Sequence, residues 1–237
     1  MQLDPLRPIG PQLHAILRER LIRNEMPPGC QISESEIAQQ YSISRQPVRE
    51  AFIKLSGEGL IQIRPQRSTV VRRIDCNTVL DARFVREAVE SDIVCALAAA
   101  PDAALVRDLR SQLKTQIAIA GKQSDRFIVA DEQFHSTLAE GAGKASVWAI
   151  LGGLKSQMDR VRYLSFGLFP QENLVRQHTI IVDRIEQGDV SGAEDAIRQH
   201  LREVLRDLPD IIRANPEAFT SLPTDEAFKD LQPRRNP

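Results

Sequence analysis

The spacing of apolar residues is the feature that most constrains the fold of this chain, because it indicates one short β element between two helical stretches. Between residues 11 and 55, apolar side chains fall at helical intervals in three short segments. After Gly59, two β-rich runs at residues 60–64 and 68–72 predict a two-stranded hairpin. From Val79 onward the helical spacing returns, and no alternating pattern is found. We therefore predict a mainly α fold.

Three short helices followed by a hairpin are the elements of a winged helix-turn-helix domain. In such a domain the third helix enters the major groove of DNA, and side chains near its N-terminus reach base edges. Here that helix is predicted to begin after Ser44, with Arg45 and Arg49 on its outward face. Arginine suits the edge of guanine, an amide such as Gln46 suits adenine, and Arg67 at the hairpin tip can contact a phosphate or the minor groove. The alternative for these arginines is a solvated helix face.

Basic residues are concentrated in the first part of the chain. Residues 1–75 contain 11 Lys or Arg and 8 Asp or Glu, whereas residues 76–237 contain 20 and 24. The net charge of −1 is thus a sum over a basic part and an acidic part. It does not exclude nucleic acid as a partner. Chance scatter is the alternative, because the difference is modest.

We divide the chain into three parts. Residues 1–75 form the winged helix-turn-helix domain, residues 76–213 an antiparallel all-α bundle of about six helices, and residues 214–237 a proline-containing tail. The six helices are predicted near residues 79–99, 103–120, 124–140, 145–166, 171–187 and 190–213. No run of 18 uninterrupted apolar residues occurs, so we expect no helix that spans a membrane.

Three of the four histidines lie on apolar faces of the predicted bundle. Asp131 and His135 are four residues apart on one helix, so both project from the same face. His178 and His200 lie on the last two helices, 22 positions apart, a separation that returns an antiparallel helix to the same level. One carboxylate and three imidazoles suit a divalent ion, with zinc first and manganese, nickel or iron as alternatives. For each histidine the alternative is a hydrogen-bonded imidazole in the core.

The first part of the chain resembles the DNA-binding domain of GntR-type bacterial transcription regulators. The resemblance covers residues 8–74 and is carried by residues 34–38, 42–51 and 55–60. It implies that operator DNA contacts the wing tip, here Gln66 and Arg67, and the following residues: Ser35, Ser44, Arg45, Gln46 and Arg49. One such helix covers too few base pairs to be selective, so we expect a homodimer on a palindromic operator of double-stranded DNA.

The second part resembles the FCD domain, the ligand-sensing domain of FadR-type GntR regulators. The resemblance covers about residues 78–205 and is carried by the following residues: Arg86, Glu90, Asp131, Phe134, His135, His178, Ile181, Gly188, Asp189, His200 and Leu201. It implies that Asp131, His135, His178 and His200 bind the metal, and that a small carboxylate effector completes the coordination and pairs with Arg86. A count of six helices is similar to the shorter VanR-type variant.

Anion binding also follows from the residues themselves. A cation beside arginine offers charge-assisted bonds to a carboxylate. Arg160 and Arg162 on the fourth bundle helix are therefore further effector candidates, with exposed salt-bridging arginines as the alternative. Glu90 is expected to orient Arg86.

Together these features predict a bacterial, cytoplasmic transcription repressor and not an enzyme. Its operator affinity is expected to depend on a small organic acid, namely a sugar acid, a dicarboxylate or an aromatic acid, bound at the metal. One alternative is a metal-dependent enzyme acting on a small organic acid, although no general acid or base accompanies the predicted ligands. The other is the same regulator with a metal-free pocket, in which the histidines bind the ligand directly.

Overall fold

The computed structural model describes residues 3–64, 68–165 and 168–220. The backbone contacts divide these residues into two compact units. The first unit contains residues 3–64, 68–79, 153–164 and 209–220. The second unit contains residues 80–152, 165 and 168–208. The predicted wing-tip residues Gln66 and Arg67 lie outside the described residues.

The first unit is built around three helices and a small sheet. Its elements are α1 (Ile9–Ile22), β1 (Gln31–Ile32), α2 (Glu34–Gln40), α3 (Arg45–Gly57), β2 (Ile61–Gln62) and β3 (Thr69–Val71). Helix α1 buries the stripe Leu13, Leu17 and Leu21, and helix α3 buries Val48 and Phe52 in the same core. Burying these stripes supplies the main stabilisation of the three helices, since helices this short are marginal alone.

The turn between α2 and α3 fixes where the third helix begins. The Ser33 hydroxyl accepts hydrogen bonds from the Ser35 and Glu36 amides and so caps α2. Ser42 then adopts a positive φ of 54°, a left-handed conformation that ends α2 and reverses the chain. Helix α3 starts at Arg45, as predicted, but the Ser44 side chain makes no capping hydrogen bond.

The sheet has three strands instead of the predicted two. Its order is β1-β3-β2, and both pairs are antiparallel, with Gln31 opposite Val70 and Ile61 opposite Val71. The hairpin β2–β3 is therefore confirmed, and β1 is an addition to it. A strand of two residues is too short to show an alternating pattern, so β1 could not be predicted from the spacing of apolar residues.

Helix α8 (Ser156–Ser165) packs within the first unit, although it lies far along the chain. Arg160 is fully buried and donates from Nη1 to the Arg72 carbonyl oxygen at 2.8 Å. Its Nε donates to Asn24 Oδ1 at 3.3 Å, and Asn24 Nδ2 donates back to the Arg160 carbonyl at 3.0 Å. Gln157 donates to the Gly59 carbonyl at 2.9 Å. The predicted boundary after residue 75 stays a prediction.

Most of the other described residues are helical, which confirms the mainly α fold class. The remaining helices are α4 (Cys76–Ala99), α5 (Ala103–Ile119), α6 (Ser124–Gly141), α7 (Ala145–Leu154), α9 (Gln171–Glu186) and α10 (Val190–Ala214). Counted over the described ranges, seven helices follow the small sheet. The segment predicted as one helix at 145–166 is divided into α7 and α8, because Gly152 and Gly153 weaken helix formation there. The likeness to the shorter VanR-type variant stays a prediction.

The core of the second unit is formed by apolar faces of α4, α5, α6, α7, α9 and α10. Phe134, Leu109, Ile181 and Ile197 are all fully buried within it. On α4, the buried Glu87 accepts hydrogen bonds from Arg198 and Arg202 and so ties α4 to α10. Across the part of the chain that the structure describes, no helix has the length and apolarity needed to cross a membrane.

Candidate functional site

The four predicted metal ligands meet in the second unit. Asp131 and His135 lie one turn apart on α6, His178 lies on α9, and His200 lies on α10. One ligand atom from each residue falls within 4.8 Å of the others. All four residues are buried, with His200 the most exposed at 7%. The bundle therefore brings together one carboxylate and three imidazoles, as the sequence predicted.

The Nε2 atoms of the three imidazoles face one another. The Nε2 atoms of His135 and His178 each lie 3.2 Å from the Nε2 atom of His200. Asp131 places one carboxylate oxygen 3.8 Å from Nε2 of His135 and the other 3.6 Å from Nε2 of His178. Consider two ligand atoms that each lie about 2.0–2.2 Å from a metal ion. When the angle at the ion is between a right angle and the tetrahedral angle, the two atoms are about 3.0–3.5 Å apart. The cluster can therefore hold a divalent ion.

On the other side of each ring, Nδ1 faces an oxygen. Nδ1 of His178 lies 2.8 Å from Gln116 Oε1, and Nδ1 of His200 lies 2.9 Å from Gln177 Oε1. Nδ1 of His135 lies 2.6 Å from a Glu90 carboxylate oxygen. An oxygen acceptor at Nδ1 holds the proton there and leaves the Nε2 lone pair toward the centre. Three Nε2 lone pairs then converge, which favours a cation between them.

Burial keeps the His200 imidazole neutral. It lowers the pKa of His200 well below its usual range, and the neighbouring imidazoles of His178 and His135 lower it further. The carboxylate of Asp131 acts in the opposite direction but does not outweigh them. A neutral imidazole is the form that binds a metal.

Arg86 lies beside this cluster on α4. Its Nε donates to Glu90 Oε1 at 2.5 Å, so the predicted orienting role of Glu90 is confirmed. Burial raises the pKa of Glu90, but the charge of Arg86 and the hydrogen bonds from His135 and Arg86 outweigh burial and hold the pKa at about 2. The guanidinium lies 5.7 Å from the centre of the Trp148 ring, which in turn stacks on His135. Arg86 Nη2 is buried and has no hydrogen-bond partner among the described residues.

The other two predicted effector contacts lie on α8, in the first unit. Arg160 donates to Asn24, Arg72 and Gln157 from Nε and Nη1, whereas its buried Nη2 has no hydrogen-bond partner among the described residues. Burial lowers the pKa of Arg160 to about 10. That Arg160 contacts an effector stays a prediction, and the residue also has structural partners within the first unit. Arg162 is half-buried on the same helix and stays a prediction.

The predicted DNA contacts lie together on the outer surface of α2 and α3. All those that the structure describes are exposed: Ser35, Ser44, Arg45, Gln46 and Arg49. The opposite face of α3 is buried in the core, so these side chains point away from the fold. Arg45 makes an ion pair with Glu34 at 3.3 Å, and Gln46 donates to Glu50 at 3.1 Å. Such exposed pairs are weak, so both side chains remain available to DNA.

Two glutamines, Gln116 and Gln177, belong to the site but were not among the residues predicted for it. Gln116 carried a signal, because it continues the buried stripe of Val106, Leu109 and Leu113 on α5, where an apolar residue is expected. Gln177 lies half-buried on α9, where a polar residue is ordinary, so its part in the site could not be predicted in this way.

Two family models match the chain. The model described as "Bacterial regulatory proteins, gntR family" matches residues 11–71, and the FCD domain model matches residues 81–203. The HTH-type transcriptional repressor RspR of Escherichia coli K12 is 38% identical over 221 residues, which cover 92% of this chain and 97% of that protein.

Solved structures share the fold. Escherichia coli McbR/YncC matches with a TM-score of 0.69 at 13% identity, covering 88% of this chain and 99% of that one. A putative GntR transcriptional regulator from Rhodococcus sp. RHA1 matches with a TM-score of 0.68 at 22% identity, covering 86% and 98%.

Proposed function

The chain belongs to the gntR family of bacterial regulatory proteins and carries an FCD domain, and from this membership we propose that it is a cytoplasmic transcription repressor controlled by a small carboxylate effector at a divalent-metal site. The family also confirms that the chain is a regulator and not an enzyme. The observation that carries the metal site is the convergence of three Nε2 atoms and one carboxylate.

The charges around the cluster favour an anionic effector. With neutral imidazoles, Asp131 and Glu90 contribute two negative charges and Arg86 one positive charge. A bound divalent ion supplies two positive charges and open coordination positions, which leaves the site with a net positive charge. One carboxylate of an organic acid then neutralises it. Sugar acids, dicarboxylates and aromatic acids all carry this group.

Arg86 is the side chain that we assign to the effector carboxylate. Its Nε is occupied by Glu90, whereas its buried Nη2 donor has no partner among the described residues. A buried donor without an acceptor costs about 1–3 kcal/mol, so an acceptor supplied by a ligand is stabilised there. Trp148 lies against the same guanidinium and limits how it can move.

We assign the ion to zinc first. Three imidazole nitrogens and one carboxylate oxygen are ligands that zinc accepts, and manganese, nickel and iron accept the same set. Asp131, His135, His178 and His200 would hold the ion. A histidine-only pocket that binds the acid directly is the competing proposal, and it predicts acid binding without metal.

The exposed face of α2 and α3 is the proposed DNA contact surface. Arg45 and Arg49 would contact base edges, with Ser35, Ser44 and Gln46 beside them. Two copies of the chain would place two such helices on a palindromic operator. Binding of the effector would favour one arrangement of the homodimer and thereby change operator affinity.

The experiment starts from a duplex selected out of random DNA by the wild-type protein. Its dissociation constant is then measured for apo protein, for zinc-loaded protein, and for zinc-loaded protein with each class of organic acid. The Arg45→Ala/Arg49→Ala variant is expected to bind at least about 30-fold more weakly, because two base contacts worth about 1 kcal/mol or more each are lost.

The matched control removes two exposed positive charges elsewhere, with Arg107→Ala/Lys114→Ala on α5. It should bind the duplex like wild type. If Arg45→Ala/Arg49→Ala binds as well as this control, the DNA contact surface is wrong. If an organic acid changes operator affinity equally with and without a chelator, the metal-free pocket replaces the metal site.

A further inference from the structure

Two glutamine amides lie immediately outside the cluster of Asp131 and the three histidines. Gln116 Oε1 faces Nδ1 of His178 at 2.8 Å, and Gln177 Oε1 faces Nδ1 of His200 at 2.9 Å. An amide can present either its oxygen or its nitrogen, so these contacts alone do not define which ring nitrogen carries the proton.

A second hydrogen bond fixes the orientation of each amide. Gln116 Nε2 donates to the Ala130 carbonyl at 3.1 Å, and Gln177 Nε2 donates to a Glu203 carboxylate oxygen at 3.1 Å. If either amide were reversed, its oxygen would face another oxygen that has no proton to donate, and its NH2 group would face the ring nitrogen. Both amides must therefore present oxygen to Nδ1, which requires the proton on Nδ1.

We infer that Gln116 and Gln177 are positioning residues that hold His178 and His200 in the Nδ1-protonated tautomer, with both Nε2 lone pairs directed at the metal position. This inference rests on the proposed metal site and adds two residues to it. Gln116 acts from α5 and Gln177 from α9, so two different helices impose the same tautomer.

The two amides differ in exposure, and this difference predicts unequal effects. Gln116 is fully buried, so nothing replaces its oxygen when it is removed. Gln177 is half-buried and lines a cavity of about 230 Å³ together with Arg176, Glu203 and Arg206. Water can enter there and accept a hydrogen bond from the Nδ1–H group of His200. Loss of Gln116 should therefore weaken zinc binding more than loss of Gln177.

The test uses the full chain and zinc itself as the probe. Zinc affinity is measured by competition with a chromophoric chelator for wild type, Gln116→Leu, Gln177→Leu and Gln177→Glu/Glu203→Gln. Removal of such outer partners is expected to weaken zinc binding about 10- to 100-fold. Gln177→Glu is combined with Glu203→Gln, so that its second carboxylate oxygen faces an amide donor and not a carboxylate. This pair keeps an oxygen acceptor at Nδ1 of His200 and should restore binding to within a few fold of wild type.

Gln112→Leu is the matched control. Gln112 lies one turn from Gln116 on α5 and donates to Thr137 at 2.9 Å, but it contacts no imidazole. Its loss should leave zinc affinity unchanged. If Gln116→Leu fails to fold, Gln177→Leu and Gln177→Glu/Glu203→Gln still decide the matter, because both change only half-buried side chains.

A second readout does not depend on zinc. In the metal-free protein with 15N-labelled histidine, the imidazole nitrogen shifts report the tautomer of each ring. Wild type should show Nδ1-protonated His178 and His200, and the leucine variants should lose that tautomer at the ring they face. Unchanged shifts and unchanged zinc affinity in both leucine variants would overturn the inference. Absence of zinc binding by wild type, with the tautomers as expected, would overturn the proposed metal site and leave the positioning role intact.

Discussion

Arg160 provides the sharpest test of how α8 is held in the first unit. Its fully buried guanidinium donates to the Arg72 carbonyl at 2.8 Å and to Asn24 Oδ1 at 3.3 Å. Burial lowers the pKa of Arg160 from the usual arginine range to about 10. Keeping this charge buried therefore costs about 3 kcal/mol.

Two substitutions separate the contributions of Arg160. Both Arg160→Met and Arg160→Ala leave three acceptors without a donor, on Asn24, Arg72 and Gln157, at about 1–3 kcal/mol each. Both also remove the roughly 3 kcal/mol cost of the buried charge. Arg160→Met should therefore destabilise the fold by between about 0 and 6 kcal/mol in the free energy of unfolding. Arg160→Ala also loses the packing of the side-chain stem and should be about 2 kcal/mol less stable than Arg160→Met.

The chain carries its own probes for this measurement. Its two tyrosines, Tyr41 and Tyr163, lie in the first unit, and its single tryptophan, Trp148, lies in the second. Urea unfolding followed by tyrosine emission should show a lower midpoint for Arg160→Ala than for Arg160→Met. Equal midpoints for wild type and both variants would refute the packing of α8 described above.

Three further predictions concern the caps and the buried charges. Ser33→Ala should lower the free energy of unfolding by about 1 kcal/mol in urea unfolding, because it removes a helix cap. Ser44→Ala should leave the free energy of unfolding unchanged, since the Ser44 side chain makes no capping hydrogen bond, and should instead weaken operator binding. Glu90→Gln should destabilise the second unit by about 3–5 kcal/mol by tryptophan-monitored unfolding, because the Arg86 guanidinium is left buried and unpaired. The contribution of Glu90 to the free energy of unfolding, about 3 kcal/mol, should be lost as pH falls from 4.5 toward 2. The reason is that the pKa of Glu90 is held at about 2 in the folded chain, so the unfolded chain takes up the proton first. Glu90→Gln should lack this part of the pH dependence.

The candidate site could be predicted from the sequence because its geometry follows from helix periodicity. Asp131 and His135 share a face at a spacing of four, and an antiparallel return brings His178 and His200 to one level. The structure confirms that these four side chains meet. Binding of a divalent ion by these four side chains is part of the proposed function.

The position of α8 could not be predicted in the same way. An apolar stripe shows which face of a helix is buried but not which element covers it. Arg160 lies among other charged residues on α8, so the sequence favoured an exposed or ligand-binding arginine. Only the fold shows that its partners are the Asn24 side chain and the Arg72 backbone, both far away in the chain.

The outer partners of the histidines were partly predictable. Glu90 was expected beside Arg86 from its spacing, and the structure confirms that pair. Its second contact, with His135, joins two helices and depends on their packing, which periodicity does not encode. The same holds for the Gln177 amide, whose contact with His200 joins α9 and α10.

The most direct test of the proposed metal site is the zinc content and zinc affinity of the purified chain. The account predicts one zinc ion per chain, bound by wild type and weakened more than about 100-fold by His178→Ala, since loss of a ligand should exceed loss of an outer partner. His14→Ala is the control, because His14 pairs with Glu58 in the first unit and should leave binding unchanged. Absence of zinc binding by wild type, or equal binding by His178→Ala, would contradict the account.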